Sequence, residues 1–216
     1  MGRSYRCTSC FASKIVCGDC GSFFGSKVWH STSKYRRTIW QCNHKFKDGE
    51  KCTTPHITED ELKDGFITAW NSLLEMRIEV IGNCRIAIAT LCACTAIDAE
   101  LAEKNSEVEV LTELTRKHIE ENASLARNQE AYQERYNDLL ARYTAATERI
   151  AELKGIKEKR KSQKTVLTAF TDTMEKQEQT LDSFDEGLWL AVIEKATVFS
   201  DGRIVFTFIN GTEIEA

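Results

Sequence analysis

Apolar residues recur at helical spacing through the middle of the chain, and at strand spacing near its two ends. Thr58-Glu59-Asp60-Glu61 has the spacing of a capping box, flanked by Ile57 and Leu62 as a hydrophobic staple, so a helix is expected to begin at Glu59. Ile67, Trp70, Leu74, Ile78, Ile81, Ile88 and Leu91 keep its period, with Gly82-Asn83 as the expected bend. From Ile97 the apolar stripe narrows to Leu101, Val108, Leu111 and His118, and a polar interruption follows at residues 121–128. Tyr132, Tyr136, Leu139, Tyr143, Ala146, Ile150 and Leu153 then follow an alternating spacing of four and three, which is a coiled-coil seam. Two such helices joined by a short polar link predict an antiparallel hairpin with its tip near 122–128 and arms of roughly 45 Å, at about 1.5 Å per residue. The second arm is expected to run through Val166, Leu167, Phe170 and Met174 to about Leu181.

The ends read differently. Residues 22–31 and 34–42 are rich in aromatic and β-branched side chains and are separated by a polar break, STSK, which predicts a β-hairpin. At the other end, Ser183 and Glu186 repeat the capping-box spacing and open a short helix over DEGLWLAVIEKA. Two strand breaks, Asp201-Gly202 and Asn210-Gly211, then predict a three-stranded meander. That meander and the short helix are expected to pack near the hairpin base. The fold class is therefore α+β: a β-ribbon, long helices forming an antiparallel coiled-coil hairpin, and a closing helix and meander. The segments are 1–14, a linker; 15–58, the ribbon; 59–96, its helical part; 97–181, the hairpin; and 182–216, the closing unit.

Composition sharpens this picture. A single proline among 216 residues fits long uninterrupted helices. MGRSYRC contains no apolar core of a secretory signal, so a reducing, cytoplasmic setting is expected and disulfides are not. The longest uncharged apolar run, residues 86–97, is too short for a bilayer and reads as buried helix, so no membrane partner is expected. The net charge of −4 hides a division. Residues 1–58 hold ten basic and three acidic side chains, or +7, while the remainder holds nineteen and thirty, or −11. A +7 segment of that length points locally to nucleic acid.

Six of the nine cysteines lie within the first 52 residues. Cys17 and Cys20, in IVCGDCG, have the form of a zinc knuckle, in which two thiolates share a metal and glycines let the backbone turn under the sulfurs. A structural zinc takes four ligands, and the hairpin would return Cys42, and the following loop Cys52, to the knuckle. Three other readings stay open: buried reduced cysteines without metal, His44 in place of Cys42 or Cys52, and a four-thiol site from Cys7, Cys10, Cys17 and Cys20. Lys27, His30, Lys34, Arg36 and Arg37 decorate the same hairpin. A two-stranded ribbon fits the major groove of B-DNA and its cations can neutralise phosphates; a solvated basic face is the alternative. Cys84, Cys92 and Cys94 read as packing residues, the seam tyrosines as core, and KGIKEKRKSQK at 154–164 as a solvated helix face that could also meet phosphates.

Taken together, FASKIVCGDCGS, YRRTIWQCNHK with Cys52 beyond it, ENASLARNQEAYQERY and FDEGLWLAVIEKATVFSDGRIVFTF resemble the C-terminal part of a large serine recombinase of a mobile element, over nearly the entire chain. The resemblance implies one structural Zn2+ held by Cys17, Cys20, Cys42 and Cys52, with no ligand role for Cys7 or Cys10. It implies binding of double-stranded attachment-site DNA. It also implies contacts with a second copy or another recombinase subunit through the coiled-coil tip, which control integration and excision. The family's catalytic serine domain has no counterpart here, so no residue is expected to be catalytic and a bacterial or phage-encoded truncated module is implied. A zinc-ribbon adaptor that recruits protein partners without reading DNA would carry the same cysteines and heptads.

Overall fold

A computed structural model describes residues 9–45, 52–124 and 129–216, and the side chains of 123 and 124 are left aside. The chain is α+β and divides into two compact units, Met1–Arg85 with Val166–Ala216, and Ile86–Thr165.

In the first unit β2 (Phe24–Trp29) and β3 (Arg37–Cys42) form the expected hairpin, in antiparallel register from Phe24 opposite Cys42 to Trp29 opposite Arg37. The polar break begins one residue earlier than STSK, because His30 takes a left-handed turn at φ 53°. Two short strands had no detectable period. β4 (Ile57–Thr58) adds a third strand beside β3. β1 (Ile15–Cys17) leaves the ribbon and pairs parallel with β5 (Ile193–Val198), Ile15 opposite Ala196 and Cys17 opposite Val198. β6 (Ile204–Phe208) and β7 (Glu213–Glu215) complete a four-stranded sheet in the order β1-β5-β6-β7. Gly202 and Gly211 adopt φ 89° and 87°, the left-handed geometry that the Asp-Gly and Asn-Gly turns require.

Helix α1 (Glu59–Glu75) starts as the capping box dictates: the Glu61 amide donates to the Thr58 hydroxyl at 3.2 Å, and the Thr58 amide donates to the Glu61 carboxylate at 2.7 Å. Its buried face is Leu62, Phe66, Ala69, Trp70 and Leu73, one step round from the stripe expected through Ile67 and Leu74. The helix breaks at Met76, not at Gly82-Asn83, and α2 (Arg77–Thr90) passes through Gly82 unbroken. Nothing crowds a Cβ at Gly82, so no packing demand forces a bend there. Asn71 instead fixes the chain locally, accepting from the Leu181 amide at 2.8 Å and donating to its carbonyl at 3.1 Å.

These elements close over one core. Trp189, fully buried, meets Phe11 at 5.0 Å and Phe66 at 5.2 Å edge to face, and Phe206 at 6.2 Å. Its indole N–H donates to the Cys10 carbonyl at 3.1 Å. Edge-to-face aromatic pairs each contribute roughly 0.5–1.5 kcal/mol beyond the area they bury. The helix carrying Trp189, α5 (Glu186–Val192), is capped by Asp185 rather than Ser183, since the Asp185 carboxylate accepts from the Leu188 amide at 2.8 Å. It also ends earlier than expected. Ile193-Glu194-Lys195-Ala196 is strand β5, because pairing on both sides with β1 and β6 outweighs local helical propensity.

In the second unit α3 (Thr95–Ser124) is joined with α4 (Gln129–Lys176), which starts here and ends five residues short of the expected Leu181. Cross-arm contacts are nested: Lys157 with Asp98 at 2.5 Å, Arg149 with Glu100 at 2.7 Å, Arg142 with Glu107 at 4.0 Å, and His118 stacked on Tyr132 at 4.6 Å. Nested pairs of this kind mean antiparallel arms. Ile97, Leu111, Leu139, Ala146, Ile150 and Leu153 are buried between them. Tyr143 is not, being 39% exposed, so it lies beside the seam. After Leu153 the seam positions pass to Lys157 and to Arg160, whose guanidinium bonds the Ala93 carbonyl.

The run at 86–97 is not a continuous buried helix. Its backbone leaves helical geometry over residues 91–94, with Ile86 and Leu91 exposed and Cys92 and Ile97 buried. By length and composition alone the stretch Arg77–Asn122 would suffice to cross a membrane. Here Val80, Ile81 and Cys84 within it belong to the core instead.

Candidate metal centre and basic ribbon

The site grows from the end of β1. After Cys17 the chain must reverse within four residues, and Gly21 does so at φ 71°, its amide donating to the Cys17 carbonyl at 2.9 Å. The Cys17 amide in turn donates to the Ser22 carbonyl at 2.9 Å. Gly18 lies against the Phe199 ring so closely that a Cβ would fall 2.5 Å from it, and its amide donates to Val198 at 2.8 Å. Glycine at 18 is therefore required for the knuckle to seat on the C-terminal sheet. The β2–β3 register then returns Cys42 beside this turn, opposite Phe24.

Four sulfurs converge as a result. The Sγ atoms of Cys17, Cys20, Cys42 and Cys52 all lie within 4.8 Å of one another, with Cys17–Cys52 at 3.4 Å and Cys20–Cys42 at 3.5 Å. Thiolates about 2.3 Å from a tetrahedral zinc stand roughly 3.8 Å apart, so a donor set of this size suits one such ion. Three of the four cysteines are buried and Cys20 faces solvent. His44 is in reach by its backbone only, its amide donating to Cys42 Sγ at 3.4 Å, and its ring does not join the cluster. Cys10 is engaged with Trp189 and is absent from the cluster, while Cys7 lies outside the described residues.

The sulfur environments differ. Burial pushes the Cys42 thiol up to about 12, the sulfurs of Cys20 and Cys52 adding to it against the His44 amide. Burial also raises Cys17. At Cys20 burial acts upward too, but hydrogen bonds from the Ser22 amide and hydroxyl, with Cys42 and Cys17, outweigh it and hold the thiol near about 6. Thr54 and Asp19 carry no role of their own in any motif read from the sequence. Thr54 is fully buried, with its Oγ1 2.9 Å from Cys17 Sγ and 3.2 Å from Cys52 Sγ, and it donates to Asp19 Oδ2 at 2.8 Å. The available signal was position: Asp19 lies between two ligand candidates and Thr54 two residues after a third.

Lys27, His30, Lys34, Arg36 and Arg37 are all exposed, on β2, on the start of β3 and on the turn between them. Arg37 lies over Trp29 at 5.6 Å and Lys34 over Tyr35 at 5.1 Å, so aromatic faces steady two of the cations. Trp29 also packs on His56 at 4.4 Å. Tyr35, 66% exposed, presents a largely solvent-facing ring between Lys34 and Arg36. Of the basic run at 154–164, Lys157 is engaged with Asp98 of α3, Arg160 with the Ala93 carbonyl just before that helix, and Lys161 with Glu158 at 2.9 Å. On the hairpin, Thr112, Thr115, Arg116, Ile119, Tyr136, Leu140 and Tyr143 line an open groove of about 400 Å³.

Comparison with known proteins bears on this site. No similar sequence was found among curated proteins. Among solved structures, one described as an LSR–DNA complex aligns with 94% of this chain and 58% of its own, at 15% identity and a TM-score of 0.34. The chain thus spans less than two thirds of that protein. The profile of the recombinase zinc beta ribbon domain matches residues 10–71, the segment that supplies β1 to β4, all four clustered cysteines and most of α1. Residues 10–71 of this chain are thus similar to recombinase zinc beta ribbon domains.

Proposed function

We propose that this chain is a DNA-binding and synapsis-control module of a large serine site-specific recombinase, acting in the cytoplasm on double-stranded attachment-site DNA during integration and excision. The observation that carries the reading is the recombinase zinc beta ribbon match at residues 10–71, over the same residues that gather four thiols. In this reading Cys17, Cys20, Cys42 and Cys52 hold one structural Zn2+, whose chemistry is to crosslink the knuckle, β3 and the loop carrying Cys52 as a folding element. Lys27, His30, Lys34, Arg36 and Arg37 present cations from a ribbon of the width that a major groove admits, neutralising phosphates and fixing register. The residues described here supply grip and position and are given no catalytic role. The coiled-coil hairpin supplies the contact with a second copy or another recombinase subunit, and the groove between Ile119 and Leu140 supports that use because it leaves apolar side chains uncovered.

Gel-shift titration of the zinc-loaded chain on the element's attachment-site DNA and on a scrambled duplex tests the reading. Tighter binding to the attachment site, weakening with salt, is expected. Equal affinity for both at physiological salt overturns specific recognition and favours an adaptor whose hairpin recruits protein. Shortening both arms symmetrically should abolish self-association and leave DNA binding intact; unchanged association removes the hairpin from the contact.

A further inference from the structure

We propose that Thr54 and Asp19 form an outer shell to the four-thiol centre, with Thr54 as a positioning residue whose hydroxyl proton turns from Asp19 to Cys17 when a metal binds. This rests on the reading of Cys17, Cys20, Cys42 and Cys52 as ligands, and concerns residues that hold no metal themselves.

Thr54 is 0% exposed, so each polar atom it carries needs a partner. A hydroxyl has one proton and two lone pairs. Here the proton is given to Asp19 Oδ2 at 2.8 Å, and the remaining face of Oγ1 meets Cys17 Sγ at 2.9 Å and Cys52 Sγ at 3.2 Å. That arrangement is complete only while both sulfurs carry hydrogens to donate. Metal ligation removes those hydrogens, because the thiolate is the ligand. Two lone pairs of Oγ1 would then face two thiolates, which is repulsive. The one proton able to relieve this is the hydroxyl's own, and the nearer sulfur is Cys17. Asp19 is exposed and takes water in its place. No bond to carbon or sulfur changes: one O–H donor swaps its acceptor, and the thiol protons leave to solvent.

The position adds to the chemistry. Thr54 touches Cys17 in the knuckle and Cys52 in the loop that closes the site, so one side chain sets the spacing of ligands separated by 35 residues. Lys45 Nζ donates to the Thr54 carbonyl at 3.2 Å and holds the peptide that carries the hydroxyl. Asp19 has the opposite influence. Its negative charge stands beside sulfurs that become negative, and it competes for the only proton available to them.

The full chain and four variants separate these roles: Thr54→Val, Thr54→Ser, Asp19→Asn and Cys42→Ser. Zn2+ affinity is read by chelator competition, and the Co2+-substituted form by its sulfur-to-cobalt charge-transfer bands. Thr54→Val is expected to bind Zn2+ about 10–100-fold more weakly with shifted Co2+ bands, the usual cost of losing an outer-shell partner. Thr54→Ser restores the hydroxyl and should lie within about threefold of the parent, as a single retained hydrogen bond implies. Asp19→Asn should bind up to about tenfold more tightly, since its amide cannot accept as strongly and carries no charge. Parent-like affinity and bands in Thr54→Val, or weaker binding in Asp19→Asn, overturn the proposal. Asp19 is at the surface, so its variant decides the matter even where Thr54→Val does not fold. A parent chain that binds no Zn2+ and behaves like Cys42→Ser overturns the ligand reading instead.

Discussion

Cys17 and Val198 are register partners in a parallel pair, so a residue of the four-thiol cluster belongs to the same sheet as the C-terminal meander. The ribbon is therefore not self-contained: the strand entering the knuckle is held by β5, and Gly18 is seated on Val198 and Phe199. Damage to the C-terminal core should reach the metal centre.

Trp189→Ala is the direct test. It removes the ring shared by Phe11, Phe66 and Phe206 and leaves the Cys10 carbonyl without its donor. A loss of about 3–5 kcal/mol in denaturant stability is expected, accompanied by weaker Zn2+ binding although no sulfur is altered. Unchanged metal affinity in a destabilised Trp189→Ala chain would separate the sheet from the site.

Metal analysis of the purified chain should return about one zinc per chain, the stoichiometry of a four-thiolate site. Cys42→Ser should abolish it, and a chelator added to the parent should unfold the ribbon while the helical signal of the hairpin persists. Retained stoichiometry in Cys42→Ser would move the site to other donors.

The two seam positions Leu139 and Tyr143 should respond differently. Leu139 is 5% exposed and Tyr143 39%. Leu139→Ala is expected to cost the hairpin about 2–5 kcal/mol, and Tyr143→Ala less than about 1 kcal/mol, measured as loss of helical ellipticity on heating. Equal costs would restore Tyr143 to the interior.

Glu61 supplies a pH dependence. The Thr58 amide bonded to its carboxylate, with the Thr58 hydroxyl, His56 and Arg37 adding to it, holds Glu61 below the usual glutamate range despite some burial. A depressed folded-state value means that the stabilisation is present above the ordinary glutamate range and is lost as pH falls through the lowered one. Glu61→Gln should flatten that acid limb of the stability curve and cost about 1 kcal/mol at neutral pH, as for loss of a helix cap. Urea midpoints followed from neutral pH down to about pH 3 check the sign.

The basic ribbon is tested by salt. Lys34→Ala and Arg36→Ala should each weaken DNA binding and lower the slope of log affinity against log salt by about 1 if each neutralises one phosphate. Variants that leave the slope unchanged mark those side chains as solvated.

The features legible in the sequence were those with long periods or strong local chemistry. The β2–β3 hairpin, the capping box at Thr58, the Asp-Gly and Asn-Gly turns and the convergence of four cysteines all follow from residues close together or from a required ligand number. What was not legible depended on distant partners. β1 is three residues long and pairs with β5, and Ile193-Glu194-Lys195-Ala196 reads as helix until that neighbour is in place. The helix break at Met76 answers to no glycine or proline in sequence. Thr54 stands in no recognisable motif, because its meaning is spatial: it lies where Cys17, Cys52 and Asp19 meet.

The parallel pairing of β1 with β5 also sets an order of assembly. The contacts of the hairpin are local and need only the residues between Ile86 and Thr165. The sheet that seats the knuckle needs the last strands of the chain, and long-range closure of this kind is slow. During synthesis the arms can therefore form while the knuckle still lacks its sheet, and the thiol centre reaches its final geometry only after β5 has left the ribosome.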